Sequence, residues 1–81
     1  MYTVYILRSV KTGRFYIGST GDVEKRLEEH NSCGVRSTKA YVPWKIVWTE
    51  EQLTRTEALQ RELQIKSYKG GIAFQKILFR V

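Results

Sequence analysis

Two runs rich in β-branched and aromatic residues, YTVYILRS at 2–9 and RFYIGST at 14–20, are separated only by Val10-Lys11-Thr12-Gly13. That arrangement constrains the fold more than any other feature of the chain. Such runs suit a pleated, half-buried surface, and a short connection ending in glycine returns the second strand beside the first. With those four residues as the loop, Arg14 faces Ser9, Tyr16 faces Leu7 and Gly18 faces Tyr5. Side chains alternate along a strand, so Tyr5, Leu7, Tyr16 and Gly18 share one face. Gly18 leaves space opposite the Tyr5 ring, and Tyr16 lies diagonally close. A loop longer or shorter by one residue would separate these groups.

The rest of the chain adds helices and one more strand. Asp22 is placed to cap a helix running to about Asn31, with acids in its first turn. Val23, Leu27 and His30 fall on one face of that helix, with Arg26 beside them. Segment 32–43 reads as a loop ending in Pro43-Trp44, and KIVWTE at 45–50 alternates like a third strand. Thr54 caps a second helix, with Glu57 at the reciprocal capping-box position; it extends to about Tyr68, and Gly70-Gly71 stops it. The final IAFQKILFRV fits a short third helix better than a strand.

These elements describe a mixed α/β chain of 81 residues, read as a single domain over 1–81. A hydrophobic fraction of 42% is enough to build a core, which argues against disorder. One cysteine, Cys33, excludes an internal disulfide framework and a cysteine-based zinc ribbon, and fits a reducing cytoplasm. The longest apolar run near the start, Val4-Tyr5-Ile6-Leu7, is too short for a membrane span or a signal peptide, so no membrane association is expected.

The formal charge of +6 is unevenly placed. All eight acids lie in two windows, Asp22 to Glu29 and Glu50 to Glu62, and the chain outside them is purely basic. Three acid-free stretches in so short a fold can converge on one surface suited to phosphate backbones. Arg14, Arg36, Lys39, Lys45, Lys66 and Lys69 are the candidate contacts to such a nucleic acid, DNA or RNA. Scattered lysines also serve solubility alone, so charge by itself leaves both readings open.

Two positions look wrong for a purely structural fold. Glu62 is flanked on its helical wheel by Ala58, Leu59 and Ile65, residues expected to face the core. A buried carboxylate calls for a cation, a metal or a functional reason. The plainer alternative places Glu62 at the stripe's edge, paired with Lys66 at i+4. Arg26 and His30 sit on the apolar side of the first helix, where a snorkelling arginine and a satisfied surface histidine are the plainer assignments. One histidine and one cysteine make no zinc site unaided, and neither a nucleophile elbow nor a Walker loop occurs.

Taken in order, these residues resemble the GIY-YIG nuclease family. Thr3-Val4-Tyr5 stands where the family has Gly-Ile-Tyr, and Tyr16-Ile17-Gly18 matches the second half letter for letter. Arg26 in the next helix, the pair His30-Asn31, and Glu62 within Ala58-Leu59-x-x-Glu62 continue the match. The Pro43-Trp44-Lys45 turn into a strand also resembles the family's stand-alone branch and the structure-selective endonuclease subunits related to it. The resemblance spans essentially the whole chain.

It implies an α+β domain, a three-stranded antiparallel sheet flanked by helices, that cuts phosphodiester bonds in DNA, branched or nicked structures among them, with one divalent metal. Carried across, Glu62 becomes the ligand of Mg²⁺ or Mn²⁺, and Arg26 stabilises charge on the phosphate in the transition state. Tyr5 becomes the candidate general base, Tyr16 positions water or phosphate, and His30 alternatively assists the proton transfer. A free tyrosine titrates near about 10, so a base role calls for Arg26 or the metal to depress it. Thr3 in place of the motif glycine is the main departure, and it removes no reacting group. No appended recognition domain is expected, which leaves substrate choice to the basic loops or to a partner protein. A nucleic-acid-binding module that turns over poorly, or only with a partner, is the alternative on the same scaffold.

Overall fold

The computed structural model describes residues 1–36, 38–68 and 71–79. Strand β1 (Tyr2–Ser9) is central in a three-stranded sheet of order β2-β1-β3, with β2 (Phe15–Thr20) and β3 (Trp44–Gln52) both antiparallel to it. The hairpin has the expected register, with Tyr5 opposite Gly18 and Leu7 opposite Tyr16. The loop closes through Ser9 and Gly13, whose N–H donates to the Ser9 carbonyl at 2.8 Å. Gly13 has φ 78°, a left-handed conformation that glycine adopts without strain.

Because β1 is covered on both faces, Val4, Tyr5, Ile6 and Leu7 are buried consecutively rather than alternately. Val4 and Ile6 pack with Ala58 and Ile65 of helix α2 (Arg55–Tyr68) and Phe74 of helix α3 (Ile72–Phe79). On the other face, Tyr5 and Leu7 pack with Trp44, Tyr16, and Val23 and Leu27 of helix α1 (Val23–Asn31). The sheet thus separates two apolar clusters, and its β2 edge is where their polar margins meet.

The caps follow the sequence. The Asp22 carboxylate accepts from Lys25 N–H at 3.1 Å, and the Thr54 hydroxyl accepts from Glu57 N–H at 3.2 Å. Helix α2 ends at Tyr68, whose carbonyl accepts from Gly71 N–H at 2.9 Å; Gly70 lies outside the described residues. The third helix is present as expected.

Two boundaries differ from the sequence reading. Strand β3 begins at Trp44 and runs to Gln52, beyond the 45–50 expected from alternation. Its start is held by Asn31, which accepts from Trp44 N–H at 2.6 Å and donates to the Trp44 carbonyl at 3.0 Å. Its charged end continues because Glu50, Glu51 and Gln52 pair with Val4, Thr3 and Tyr2 of the central strand. A bulge leaves Val47 unopposed between Ile46 and Trp48, which breaks the alternation on which the shorter reading relied. The segment read as loop also contains a 3₁₀ turn, Lys39–Tyr41.

Candidate active site

Tyr5 projects from the central strand across the backbone of β2 at Gly18. A Cβ on Gly18 would lie 2.6 Å from Tyr5 Oη, 2.7 Å from Tyr5 Cζ and 3.3 Å from Tyr16 Cε1. The phenol therefore occupies the space where any other residue's side chain would begin. Tyr16 stacks beside it, with ring centroids 6.3 Å apart and planes at 29°.

Behind Tyr5 stands His30, which is fully buried. The helix alone favoured a surface histidine; the rings of Tyr5 and Tyr16 and the side chain of Thr38 enclose this one. Its Nε2 lies 3.3 Å from Tyr5 Oη and its Nδ1 lies 2.8 Å from Thr38 Oγ1, so both ring nitrogens have partners. Burial, reinforced by the Arg26 charge and opposed by Glu29, holds the imidazole below its ordinary value of 6.5. The ring is neutral at pH 7 and can accept a proton.

Glu62 reaches the same region from the opposite face of the sheet. Its carboxylate accepts from Ser19 Oγ at 2.8 Å and from Lys66 Nζ at 2.6 Å. The side chain is 14% exposed and lies at the edge of the apolar stripe. Ala58 and Ile65 are buried while Leu59 is exposed, so the wheel placed the stripe slightly too far toward Leu59. The i+4 partner and the edge position are both present, and the carboxylate still faces the cleft.

The cleft has a volume of about 370 Å³ and lies along the β2 edge. Tyr5, Tyr16, Arg26 and Glu62 all line it, together with Tyr2 and Arg55, which the sequence reading did not single out. Arg26 pairs with Glu29 at 3.1 Å, and its guanidinium also bears on the Tyr5 hydroxyl. Burial raises Tyr5 above its ordinary 10.0, and this outweighs the lowering effect of Arg26. The depressed phenol that a ready-made base would have is thus not present in the protein alone. Tyr5 is a protonated phenol facing a neutral imidazole.

The basic positions spread more widely than the cleft. Arg14, at the hairpin end, lies over the Tyr41 ring at 4.8 Å from its centroid. Lys45 lines a separate groove with Arg8 and Lys11. Arg36 and Lys39 are exposed in the segment after α1, Lys66 is engaged with Glu62, and Lys69 lies outside the described residues. Ser19 and Thr38 were also missed. Ser19 had a signal, since strand alternation puts it on the face opposite Gly18, where α2 packs. Thr38 had none, because it sits in a segment without periodicity.

The GIY-YIG catalytic-domain model matches residues 1–71. The chain belongs to the GIY-YIG family. A UPF0213 protein of Staphylococcus saprophyticus is 39% identical over 66 residues, covering 80% of this chain and 79% of the relative. A UPF0213 protein of Staphylococcus aureus is 41% identical over the same length and shares of each chain. The solution NMR structure of a UPF0213 protein from Bacillus halodurans is 32% identical, covers 90% of each chain, and superposes with a TM-score of 0.48. Family membership points to a nuclease-type function on DNA. The GIY-YIG match begins at residue 1 and so includes Thr3 at the motif's first glycine position.

Proposed function

We propose that this chain is a divalent-metal-dependent endonuclease that hydrolyses phosphodiester bonds in DNA, branched or nicked structures among its substrates. The observation that carries this reading is the convergence of Tyr5, Arg26 and Glu62 on one cleft from a strand and two helices. A proton acceptor, a fixed cation and a hard oxygen ligand together supply what phosphoryl transfer to water requires.

Water attacks phosphorus as the phosphorus–oxygen bond to the leaving alkoxide breaks. Tyr5 Oη takes the water proton while its own proton passes to His30 Nε2, and the leaving oxygen is protonated from solvent. This relay allows Tyr5 to act as base without ionising beforehand. Arg26 is permanently charged and bears on the non-bridging oxygens where negative charge accumulates, with Arg55 as a second cation on the cleft wall. Tyr16 packs against the Tyr5 and His30 rings and orients the phenol.

The donor set fits Mg²⁺ or Mn²⁺. Glu62 is a single hard carboxylate beside the Ser19 hydroxyl, and no group of three or more His, Cys, Asp or Glu that could hold a metal occurs among the described residues. One carboxylate with water and phosphate completing the shell is a common way of holding Mg²⁺. When bound, the ion supplies Lewis-acid stabilisation of phosphate charge. Among the described residues no helix is long and apolar enough to cross a membrane. We place the activity in the cytoplasm, with a partner protein or the outlying basic residues guiding substrate choice.

One observation favours a partner-dependent binding module instead. Lys66 holds Glu62 Oε2 at 2.6 Å and neutralises the carboxylate that a metal would need. The lysine is half-exposed, and i,i+4 pairs at a helix surface contribute about 0–1 kcal/mol, so a divalent ion with a bound phosphate can displace it. A panel of labelled DNA and RNA structures, incubated with Mg²⁺, Mn²⁺ or chelator, separates the readings. Metal-dependent cleavage of DNA supports the enzyme, whereas binding without cleavage under either metal supports the module.

The relay also sets a pH dependence. Activity requires neutral His30, whose value lies below 6.5, so cleavage is expected to stay level down to that pH and to fall only beneath it. The contribution of His30 to stability has the same sign, being complete above 6.5 and lost as pH falls further. A pH–rate profile checks this, and an acid limb centred at or above 6.5 contradicts it. Tyr5 adds no alkaline limb below 10.0.

A further inference from the structure

Thr38 is almost fully buried, at 2% exposure, and meets His30 on the side away from the cleft. Three polar contacts run in series: Tyr5 Oη to His30 Nε2 at 3.3 Å, His30 Nδ1 to Thr38 Oγ1 at 2.8 Å, and Thr38 Oγ1 to the Val35 carbonyl at 3.3 Å. Their direction follows from what each group can do. A carbonyl only accepts, so the Thr38 proton points at Val35 if that contact is a hydrogen bond. What Thr38 then offers His30 is a lone pair, and Nδ1 must carry the ring proton. Nε2 is left bare, and Tyr5 fills it as donor. The reverse direction would set the Thr38 oxygen against the Val35 carbonyl with no proton between them. Only one direction makes all three contacts hydrogen bonds.

Thr38 is itself fixed in place. Its carbonyl accepts from Trp44 Nε1 at 3.0 Å, while the Trp44 backbone is held at both its N–H and its carbonyl by Asn31, the residue after His30. The path from His30 through Thr38, Trp44 and Asn31 closes back on α1, so the Thr38 backbone cannot drift from the imidazole without disturbing the start of β3.

We propose that Thr38 is a positioning residue that fixes His30 in its Nδ1–H tautomer and so keeps Nε2 free to take the Tyr5 proton. Its role in cleavage rests on the nuclease reading above; the tautomer itself does not. Thr38 is not among the residues that line the cleft, so it acts only through His30. Without its hydroxyl the neutral ring can move its proton to Nε2, and the Tyr5 hydroxyl then faces a second donor.

The chain has one histidine, so its ring nitrogens give a single set of ¹⁵N signals. In the unmodified protein above pH 7, long-range ¹H–¹⁵N correlation is expected to show protonated Nδ1 and unprotonated Nε2. In Thr38→Val, which keeps the shape and removes the hydroxyl, the Nε2–H tautomer should appear. DNA cleavage should fall at least about 10²-fold with DNA Kd unchanged, as loss of the correct tautomer of a proton acceptor does elsewhere. Thr38→Ser should restore both readouts. An Nε2–H tautomer in the unmodified protein overturns the proposal even if Thr38→Val fails to fold, as does a Thr38→Val spectrum identical to the parent's. If the nuclease reading fails instead, no variant cleaves while the tautomer shift remains.

Discussion

Gly18→Ala is expected to lower cleavage about 10²-fold or more in a chain that still folds. The new methyl would be placed 2.6 Å from Tyr5 Oη, and the phenol has little room to yield. Tyr5 is 2% exposed, packed against Tyr16, and bonded to a fully buried His30. Restoring van der Waals separation moves the hydroxyl by roughly an ångström, and a misplacement of that size costs about 10²-fold in rate. Overpacking of this kind also costs about 1–3 kcal/mol of stability. Gly21→Ala is the matching control, since its Cβ would meet only Tyr2 Cε1 at 3.8 Å, an ordinary contact. Thermal melts and single-turnover rates of the two variants check the difference. Equal rates for Gly18→Ala and the parent would show that the phenol's position does not matter.

Glu62→Gln is expected to abolish metal-dependent cleavage, with a loss of at least about 10²–10³-fold, the range seen when one transition-state charge contact is removed. The amide keeps the size of the side chain and its oxygen can still accept from Ser19, so the fold should survive. What disappears is the negative oxygen that recruits the cation. DNA binding should hold or strengthen slightly, because a negative charge leaves the cleft and Lys66 is released to meet phosphate. Cleavage titrated against Mg²⁺, alongside DNA binding in chelator, distinguishes this from general damage. Retained cleavage at parental metal concentrations would remove Glu62 from the metal site.

Much of this geometry was legible beforehand because it depends on local rules. The hairpin register followed from loop length, and register alone put Tyr5, Tyr16 and Gly18 on one face. Side-chain oxygens at Asp22 and Thr54 announced the helix starts. Helical spacing placed Arg26 and His30 together on the side of α1 that packs on the sheet. What the sequence could not disclose is tertiary. The burial of His30 depends on Tyr5 and Tyr16 of the sheet and on Thr38 meeting the ring, and Thr38 sits in a stretch of sequence with neither helical nor strand periodicity. Thr38 acquires its role from the same packing, through contacts to Trp44 and His30 that lie 6 and 8 residues away in the chain. The direction of the Tyr5 shift was not legible for a related reason: Arg26 is visible in the helix pattern, whereas the burial that outweighs it is a property of the assembled fold.

The family's nuclease character and this chain's own cleft meet at Tyr5, so the most direct measurement is single-turnover cleavage of a labelled DNA by the unmodified chain and by Tyr5→Phe, with Mg²⁺ and with chelator. Phenylalanine keeps the ring that packs between Gly18 and Tyr16 and removes only the hydroxyl. The account predicts Mg²⁺-dependent cleavage by the unmodified chain, a loss of about 10²–10⁴-fold in Tyr5→Phe, and equal DNA binding by both. Cleavage by Tyr5→Phe at the parental rate would contradict it.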